Sequence, residues 1–276
     1  MRYPQAGDSV ANVSAHRGEA GGEVGVVGEV VLLVDTFNRY FEPENVRAAL
    51  DVLEAAGYKV EIAAPRDGGR PLCCGRTFLA AGLVDEARVE AQRLLDALRP
   101  FVDRGVPVVG LEPSCLLTLR DEFLVMGLDG EIGPTAERAL LFEEFLADEA
   151  DAGRLMLDLA PLRAHTALLH GHCHQKAFDA MPAVRKVLGM IPGLKVQTVD
   201  SGCCGMAGSF GYEAEHFEMS MKMAEQSLLP AVRKAGPDTI VVADGTSCRH
   251  QIHDGARKKA LHVARVLQMS LEERKR

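Results

Sequence analysis

The sequence contains no tryptophan, and aromatic residues make up only 5% of its 276 residues. Aliphatic side chains must therefore fill the core, and a hydrophobic content of 47% is enough for a sizeable one. No apolar run is long enough to span a bilayer, and no apolar stretch of a secretion signal follows the first four residues. The net charge of -8 argues against nucleic acid or an anionic membrane surface as the main partner. We therefore expect a cytoplasmic protein without a transmembrane segment.

Two cofactor motifs are missing as well. The sequence has no Gly-rich fingerprint of a flavin-binding loop and no Cys-x-x-Cys-x-x-Cys run of the ferredoxin type. The glycines of residues 205–211 follow a cysteine pair. They are better explained by the tight turns at such a pair than by a phosphate-binding loop. We therefore do not expect this chain to bind flavin itself.

Cysteine, by contrast, is plentiful. The seven cysteines are odd in number and two pairs are adjacent in sequence, which disfavours disulfides because a ring between neighbouring cysteines is strained. In a chain without a secretion signal, they are better explained as reduced thiols that serve metal binding or redox chemistry. They are Cys73, Cys74, Cys115, Cys173, Cys203, Cys204 and Cys248.

Apolar runs of strand length alternate with amphipathic helical segments from Glu29 onward. This alternation predicts an α/β fold, and runs without strict polar alternation are typical of parallel strands buried on both faces. The predicted strands are residues 30–34, 58–63, 106–111, 167–170, 195–199 and 239–243. The predicted helices are residues 43–56, 84–98, 134–147, 182–188, 213–235 and 257–267.

The chain also repeats itself. Cys73-Cys74-Gly75 recurs as Cys203-Cys204-Gly205, and a Pro-Ser-Cys segment ending at Cys115 recurs as Thr-Ser-Cys ending at Cys248. The repeats predict two pseudo-repeated halves, each a small parallel sheet flanked by helices, with cysteine loops at the carboxyl ends of the strands. We place the halves at residues 28–155 and 156–276, behind a flexible segment of residues 1–27.

Four cysteines of the second half form the main candidate metal site. Cys173, the pair Cys203 and Cys204, and Cys248 each follow a predicted strand, and the carboxyl ends of parallel strands share one edge of a sheet. Helix N-termini after these strands favour the thiolate, the form that ligates metals. Four thiolates suit a four-iron cluster or a tetrahedral zinc. The alternatives are buried cysteines that only fill space, and a thiol–disulfide enzyme that uses a cysteine pair directly.

Imidazole and guanidinium side chains flank these loops. His172, His174 and His250 are expected around the ligands, where they would donate to sulfur, bind metal or move protons. Arg76 and Arg249 are candidates for binding an anionic substrate or a carboxylate of a partner, with simple surface charge as the alternative.

The first half offers fewer thiols. Cys73, Cys74 and Cys115 lack a fourth, because an Asp-Thr-Phe segment stands where the lone cysteine of the second half falls. Glu112 could add a carboxylate, but thiolate-rich clusters accept oxygen poorly. The sequence therefore predicts either a second metal site or a vestigial one.

The cysteine motifs resemble the tandem CCG cysteine-rich domain, whose pattern is a lone Cys, then Cys-Cys-Gly, then Cys-x-x-Cys, twice over. That domain is found in heterodisulfide reductase, in the iron–sulfur subunits of glycolate oxidase and anaerobic glycerol-3-phosphate dehydrogenase, and in lactate-utilisation proteins. Residues 170–176 and 200–208 are most similar to the C-terminal iron–sulfur region of FAD-linked oxidases, and the resemblance covers about residues 28–270.

The resemblance implies an electron-transfer module with a 4Fe–4S type cluster on the four cysteines of the second half. It would serve an FAD-linked oxidoreductase of a 2-hydroxy acid such as glycolate, lactate or 2-hydroxyglutarate, with FAD on a flavoprotein partner and a quinone or membrane acceptor reached through other subunits. Gly245 stands where the family has the first cysteine of the last Cys-x-x-Cys, so the sequence provides four thiolates there rather than five. A zinc-binding docking module of the same kind of complex is the alternative.

Overall fold

The computed structural model describes residues 26–130 and 132–274. The chain divides into two compact units at Leu157 and Asp158, with Ala80–Gly82 grouped with the second. The N-terminal segment expected to be flexible lies outside the described residues, except for Val26 and Val27.

The first unit alternates strands and helices along the chain. Its elements are β1 (Gly28–Leu33), α1 (Thr36–Tyr40), α2 (Pro43–Ala55), β2 (Tyr58–Ile62), α3 (Arg76–Ala80), α4 (Val84–Val102), β3 (Val108–Gly110), α5 (Pro113–Leu117), α6 (Gly133–Arg138), β4 (Ala139–Leu141) and α7 (Phe142–Asp151). Two short 3-10 turns, Thr118–Arg120 and Glu122–Leu124, follow α5.

The second unit repeats this plan. Its elements are β5 (Thr166–Leu169), α8 (Cys173–Ala177), α9 (Met181–Gly189), β6 (Lys195–Thr198), α10 (Phe217–Glu225), α11 (Leu228–Lys234), β7 (Thr239–Val242), α12 (Thr246–Ala256), β8 (Ala260–Leu261) and α13 (Val263–Arg274). A 3-10 turn, Phe210–Tyr212, precedes α10.

Each unit holds one four-stranded sheet, and the two sheets have the same topology. The strand order is β2-β1-β3-β4 in the first unit and β6-β5-β7-β8 in the second, and all neighbouring strands are parallel. The predicted α/β fold with two pseudo-repeated halves is confirmed.

Aliphatic side chains determine which strands lie at the centre of each sheet. Val30, Val31 and Leu32 of β1 are fully buried, as is Val242 of β7. Burying one such side chain stabilises the fold by about 1.5–3 kcal/mol. Uninterrupted apolar runs therefore occupy the centre of each sheet, while β6, with Lys195 and Gln197, forms an edge.

Three predicted helices are wrong in part. Residues 134–147 contain the short strand β4, and residues 257–267 contain β8. Both strands have only two or three residues, too few to show a period of two, and pairing with β3 and β7 selects them. The predicted helix 213–235 is divided into α10 and α11. No helix in the described part of the chain is both long and apolar enough for a membrane crossing.

Candidate metal centre

Three loops at the carboxyl edge of the second sheet carry the predicted cysteines. Cys173 is the first residue of α8, after β5. Cys203 and Cys204 lie in the loop that follows β6, and Cys248 is the third residue of α12, after β7. Parallel strands bring all three loops to one edge of the sheet, as ligand sites of open α/β sheets require.

The Cys-Cys-Gly turn places two sulfurs side by side. Gly205 has a φ of +94°, which is unfavourable for any other residue, and a Cβ here would overlap the carbonyl oxygen of Ser220. Its amide donates to Sγ of Cys203 at 3.3 Å. Only glycine therefore lets the chain turn tightly enough to direct both sulfurs toward one point.

The four thiols form an unbroken series of S–H···S contacts from Cys173 to Cys203, Cys204 and Cys248. Hydrogen bonds from Cys173 and Cys204 hold the pKa of Cys203 well below its usual range. A hydrogen bond from Cys204 likewise lowers the pKa of Cys248. Contact with Cys203 raises the pKa of Cys173 and of Cys204, with burial adding to both. Along this series the neutral thiol is therefore favoured at Cys173 and Cys204, and the thiolate at Cys203 and Cys248.

A histidine joins this set that the sequence analysis did not name as a candidate. One ring nitrogen of His170 and the sulfurs of Cys204 and Cys248 all lie within 4.8 Å of one another, and all three residues are buried. Cys204 and Cys248 also belong to an apolar cluster with Met206 and Val241. Such low-polarity surroundings strengthen electrostatic interactions with any bound cation.

Buried hydrogen bonds hold the loops in register. Gln175 of α8 donates to Asp244 Oδ2 at 2.8 Å, and Asp244, fully buried after β7, accepts from the amide of Val263. Gln251 of α12 donates to the carbonyl of Cys204 at 2.9 Å. Lys176 donates to the carbonyls of Ser201 and Gly202. Each cysteine loop is thus tied to a neighbouring element, which limits how far the sulfurs can move apart.

The cysteine-rich domain family known as CCG matches residues 167–253. The match runs from β5 into α12 and includes all four cysteines and His170.

Residues 167–253 are thus similar to CCG domains.

Three curated proteins illustrate what the whole chain is similar to. D-2-hydroxyglutarate dehydrogenase of Pseudomonas putida is 33% identical over 242 residues, 86% of this chain and 22% of that protein. A subunit of anaerobic glycerol-3-phosphate dehydrogenase of Escherichia coli is 28% identical over 245 residues, 88% of this chain and 59% of that protein. Lactate utilization protein A 1 of Bacillus mycoides is 23% identical, over 82% of this chain and 91% of that protein. The chain thus spans less than two thirds of the first two.

The other predicted residues of the segment 167–253 surround the cysteines. His172 is buried and caps α8 by accepting from the amide of His174 at 3.1 Å. His174 is half-buried, and its ring lies 5.1 Å from that of His172. His250 shares a hydrogen bond of 2.7 Å with the hydroxyl of Tyr212. Arg249 is buried and donates to the carbonyls of Ala243 and Asp244, so its guanidinium supports the loop that precedes Cys248.

The local sequence contains a signal for His170 that the sequence analysis missed. The residue is the last of the predicted strand 167–170 and stands three before a cysteine, in the segment His-Gly-His-Cys-His. The carboxyl end of a strand is where this fold places its ligands. His172 and His174 were chosen as candidates because they are the neighbours of Cys173 in the sequence. His170 is not next to a cysteine, so this choice did not include it.

The first unit has a related but weaker cluster. Thr36 begins α1 as Cys173 begins α8, and its hydroxyl hydrogen-bonds Cys73. Cys73 contacts Cys74, which contacts Cys115. All three thiols have raised pKa values, and that of Cys115 is about 11 because burial and nearby carboxylates outweigh the lowering effect of Cys74.

The predicted oxygen ligand of the first unit has another environment. Glu112 is buried, precedes α5 and accepts from Ser114 at 2.8 Å. Arg76 pairs with Glu122 and contacts Thr118. In the described residues of this unit, no three metal-binding side chains converge to the separation found in the second.

The second cluster fits a metal centre. Two thiolates in one partly buried cluster repel each other, and a bound cation would neutralise them. All seven cysteines are free thiols, so no disulfide competes for the sulfurs. The set of four sulfurs and one imidazole consists of the soft donors that iron–sulfur clusters and zinc accept.

Proposed function

We propose that Cys173, Cys203, Cys204 and Cys248 hold a 4Fe–4S type iron–sulfur cluster, and that the chain is the electron-transfer module of an FAD-linked oxidoreductase. The observation that carries this proposal is the unbroken contact series of the four sulfurs at one edge of one sheet. Separate loops would not bring four thiols together by packing preference alone.

The exposure of the sulfurs suits electron exchange with another protein. Cys173 is exposed and Cys203 half-buried, whereas Cys204 and Cys248 are buried. A cluster bound here would accept single electrons from a reduced flavin and pass them to a further acceptor. The exposed side offers a place for the partner, and the buried side keeps solvent away from half of the sulfurs.

Its substrate and partners are proposed from its relatives. Proteins named for D-2-hydroxyglutarate, glycerol 3-phosphate and lactate are similar to this chain over more than four fifths of its length. We propose a 2-hydroxy acid such as glycolate, lactate or 2-hydroxyglutarate as the substrate of the complex. The flavoprotein partner would carry FAD, since no flavin fingerprint occurs in this sequence. We place the module in the cytoplasm, where free thiols persist.

The deciding experiment is metal analysis of protein isolated without oxygen. We expect a brown protein that contains iron and acid-labile sulfide and that develops an EPR signal on reduction with dithionite. The negative control is the Cys204→Ser variant prepared in parallel, which should lack both. A colourless protein with one zinc ion per chain would overturn the electron-transfer role.

Zinc is the second candidate because of one observation. His170, Cys204 and Cys248 already form a compact trio, and Cys203 would complete a tetrahedral Cys3His site of the kind that structural zinc occupies. Since zinc has no redox chemistry, the chain would then be a docking module of the same complex. Iron with stoichiometric sulfide in the anaerobic preparation would exclude this alternative.

A further inference from the structure

We infer that His170 is a ligand of the centre through Nε2, in addition to the four cysteine sulfurs. The inference rests on the proposed metal centre and adds to it a nitrogen donor. Its basis is the position of His170 beside two buried sulfurs, with one ring nitrogen within 4.8 Å of Cys204 and Cys248.

The hydrogen bonds of His170 leave Nε2 with its lone pair. Nδ1 lies 2.9 Å from the hydroxyl of Ser201, which itself points its proton toward the carbonyl of Val199 at 3.5 Å. In this arrangement Ser201 can accept from Nδ1–H, and the neutral ring then keeps its lone pair on Nε2. Metal-binding histidines are typically fixed by such a partner on the second nitrogen.

Nε2 itself is buried and makes no hydrogen bond of normal length within residues 26–130 and 132–274. Its ring also acts on the thiol of Cys248, both electrostatically and through a longer side-chain hydrogen bond. A buried acceptor without a hydrogen bond costs about 1–3 kcal/mol, so it calls for an explanation. Coordination of a cation would satisfy this nitrogen.

The neighbouring His172 has the opposite tautomer. Its Nδ1 accepts from the amide of His174 at 3.1 Å, so a neutral ring carries its proton on Nε2. Nε2–H is then a donor toward sulfur and has no lone pair for a metal. The two histidines that influence Cys248 therefore have different tasks, and of these two His170 has the lone pair that a metal needs.

The space at position 245 is already filled. A Cβ on Gly245 would overlap the ring of His172 and lie 3.3 Å from Sγ of Cys248. The ring of His172 thus occupies the space that a cysteine at this position would use. A cysteine at position 245 would therefore require the ring of His172 to move. His170 lies near Cys248 without occupying this space.

The first unit supplies a natural comparison. Counting back three residues from the first residue of α8 gives His170, and the same count from α1 gives Leu33, which is buried and apolar. The weaker cluster thus lacks the imidazole as well as the fourth thiol. His170→Leu therefore gives the second unit the side chain that the first unit has.

The test is pulsed EPR on the full chain with ¹⁵N-labelled histidine, after anaerobic isolation and reduction with dithionite. We expect a strong hyperfine coupling to one histidine nitrogen in the wild type, as direct ligation gives. The coupling should disappear in His170→Leu and persist in His172→Asn, which keeps the helix cap but removes the imidazole. His170→Cys should keep the cluster and shift its reduction potential downward, because histidine ligands raise the potential relative to thiolate.

The outcomes separate the two proposals. Wild-type protein with full iron and sulfide but only weak histidine coupling would overturn the inference and leave the cluster standing. Loss of the coupling in His172→Asn rather than in His170→Leu would overturn it as well. Protein without any bound metal would overturn the proposed function, and the inference with it. Protein with zinc instead of iron would overturn only the proposed function, and zinc that stays bound in His170→Leu but is lost in His172→Asn would then overturn the inference. Because the wild-type spectrum alone can refute the inference, the test does not depend on whether His170→Leu folds.

Discussion

The two cysteine clusters share a backbone but not their electrostatics. In both units a Cys-Cys-Gly turn directs its glycine amide to the first sulfur, at 3.4 Å in the first and 3.3 Å in the second. In both, the last cysteine is the third residue of a helix: Cys115 in α5, which follows β3, and Cys248 in α12, which follows β7. Yet every thiol of the first unit has a raised pKa, whereas two of the second have lowered ones.

The side chains around the last cysteine account for part of this difference. Asp35 and Glu112 lie near Cys115, and their negative charge opposes its ionisation. His170 and His172 lie near Cys248 and favour its ionisation. Asp35 and His172 occupy matching places, since each caps the helix that follows the first strand of its sheet. A duplicated fold can thus keep the positions of its sulfurs while the neighbouring charges decide which sulfurs become ligands.

The largest expected effect comes from removing one sulfur from each cluster. Cys204→Ser should abolish the bound centre, because Cys204 contacts both Cys203 and Cys248. Cys115→Ser should leave most of the iron in place, since the first cluster lacks a fourth thiol and favours neutral sulfurs. Iron and sulfide per chain in anaerobic protein measure both, with circular dichroism as the control for folding. Equal loss in the two variants would contradict the asymmetry between the units.

A second comparison uses the first cysteine of each pair in metal-free, reduced protein. Cys73 and Cys203 are both half-buried, so access to reagent is similar. The pKa of Cys203 is lowered by its thiol neighbours, and that of Cys73 is raised by Cys74 and by burial. At pH 7 iodoacetamide should therefore modify Cys203 on the order of tenfold faster or more, because the thiolate is the nucleophile.

The pH dependence of this reaction gives its internal control. The rate at Cys203 should stay flat between about pH 7 and 9, since its sulfur is already ionised, while the rate at Cys73 should rise. Mass spectrometry of the labelled peptides measures both sites in one sample. Faster modification of Cys73 at pH 7 would show that the electrostatic difference has the opposite sign.

The glycine of the Cys-Cys-Gly turn offers a smaller, structural test. Gly205→Ala combines a positive φ with overlap on the carbonyl of Ser220, so it should lower the free energy of unfolding by about 2–4 kcal/mol. Gly208→Ala is the matched control, because Gly208 has a φ of +69° but no atom within 4 Å of a Cβ. Its cost should be about 1–2 kcal/mol. Urea unfolding measures both, and equal costs would mean that the turn relaxes without difficulty.

Much of this architecture was predictable because its signals are local. Aliphatic runs specify the central strands, and repeated cysteine motifs specify the duplication and the strand ends that carry thiols. β4 and β8 were not predicted, because strands of two or three residues are too short to show a period and form only by pairing with β3 and β7. Long-range pairing of this kind is decided by the whole sheet, not by the sequence of the short strand.

The roles of the histidines were beyond sequence reasoning for a different reason. His170, His172 and His174 occur within five residues, and their spacing alone does not distinguish a ligand from a helix cap. The difference lies in their partners: Ser201 for the first and the amide of His174 for the second. Ser201 is 31 residues away in the chain, so only the folded loops reveal which partner each ring nitrogen has.

The smallest expected effect concerns the carboxylates of the first unit. The pKa of Cys115 is about 11, above its usual value, so the neutral thiol favours the folded state. The unfolded chain ionises this sulfur first as pH rises, and the fold therefore loses stability from about pH 9 toward 11. Glu112→Gln removes one of the negative charges that raise this pKa, while its carbonyl oxygen can still accept from Ser114.

In that variant we expect the pKa of Cys115 to fall but to stay above the ordinary range, since burial and Asp35 continue to raise it. Carbon NMR of ¹³C-labelled cysteine across a pH titration measures the change directly. Glu122→Gln is the control, because that carboxylate pairs with Arg76 instead. An unchanged titration in Glu112→Gln would mean that burial alone keeps this sulfur neutral. The contrast between the two units would then rest on the histidines of the second unit and on the thiol that the first unit lacks.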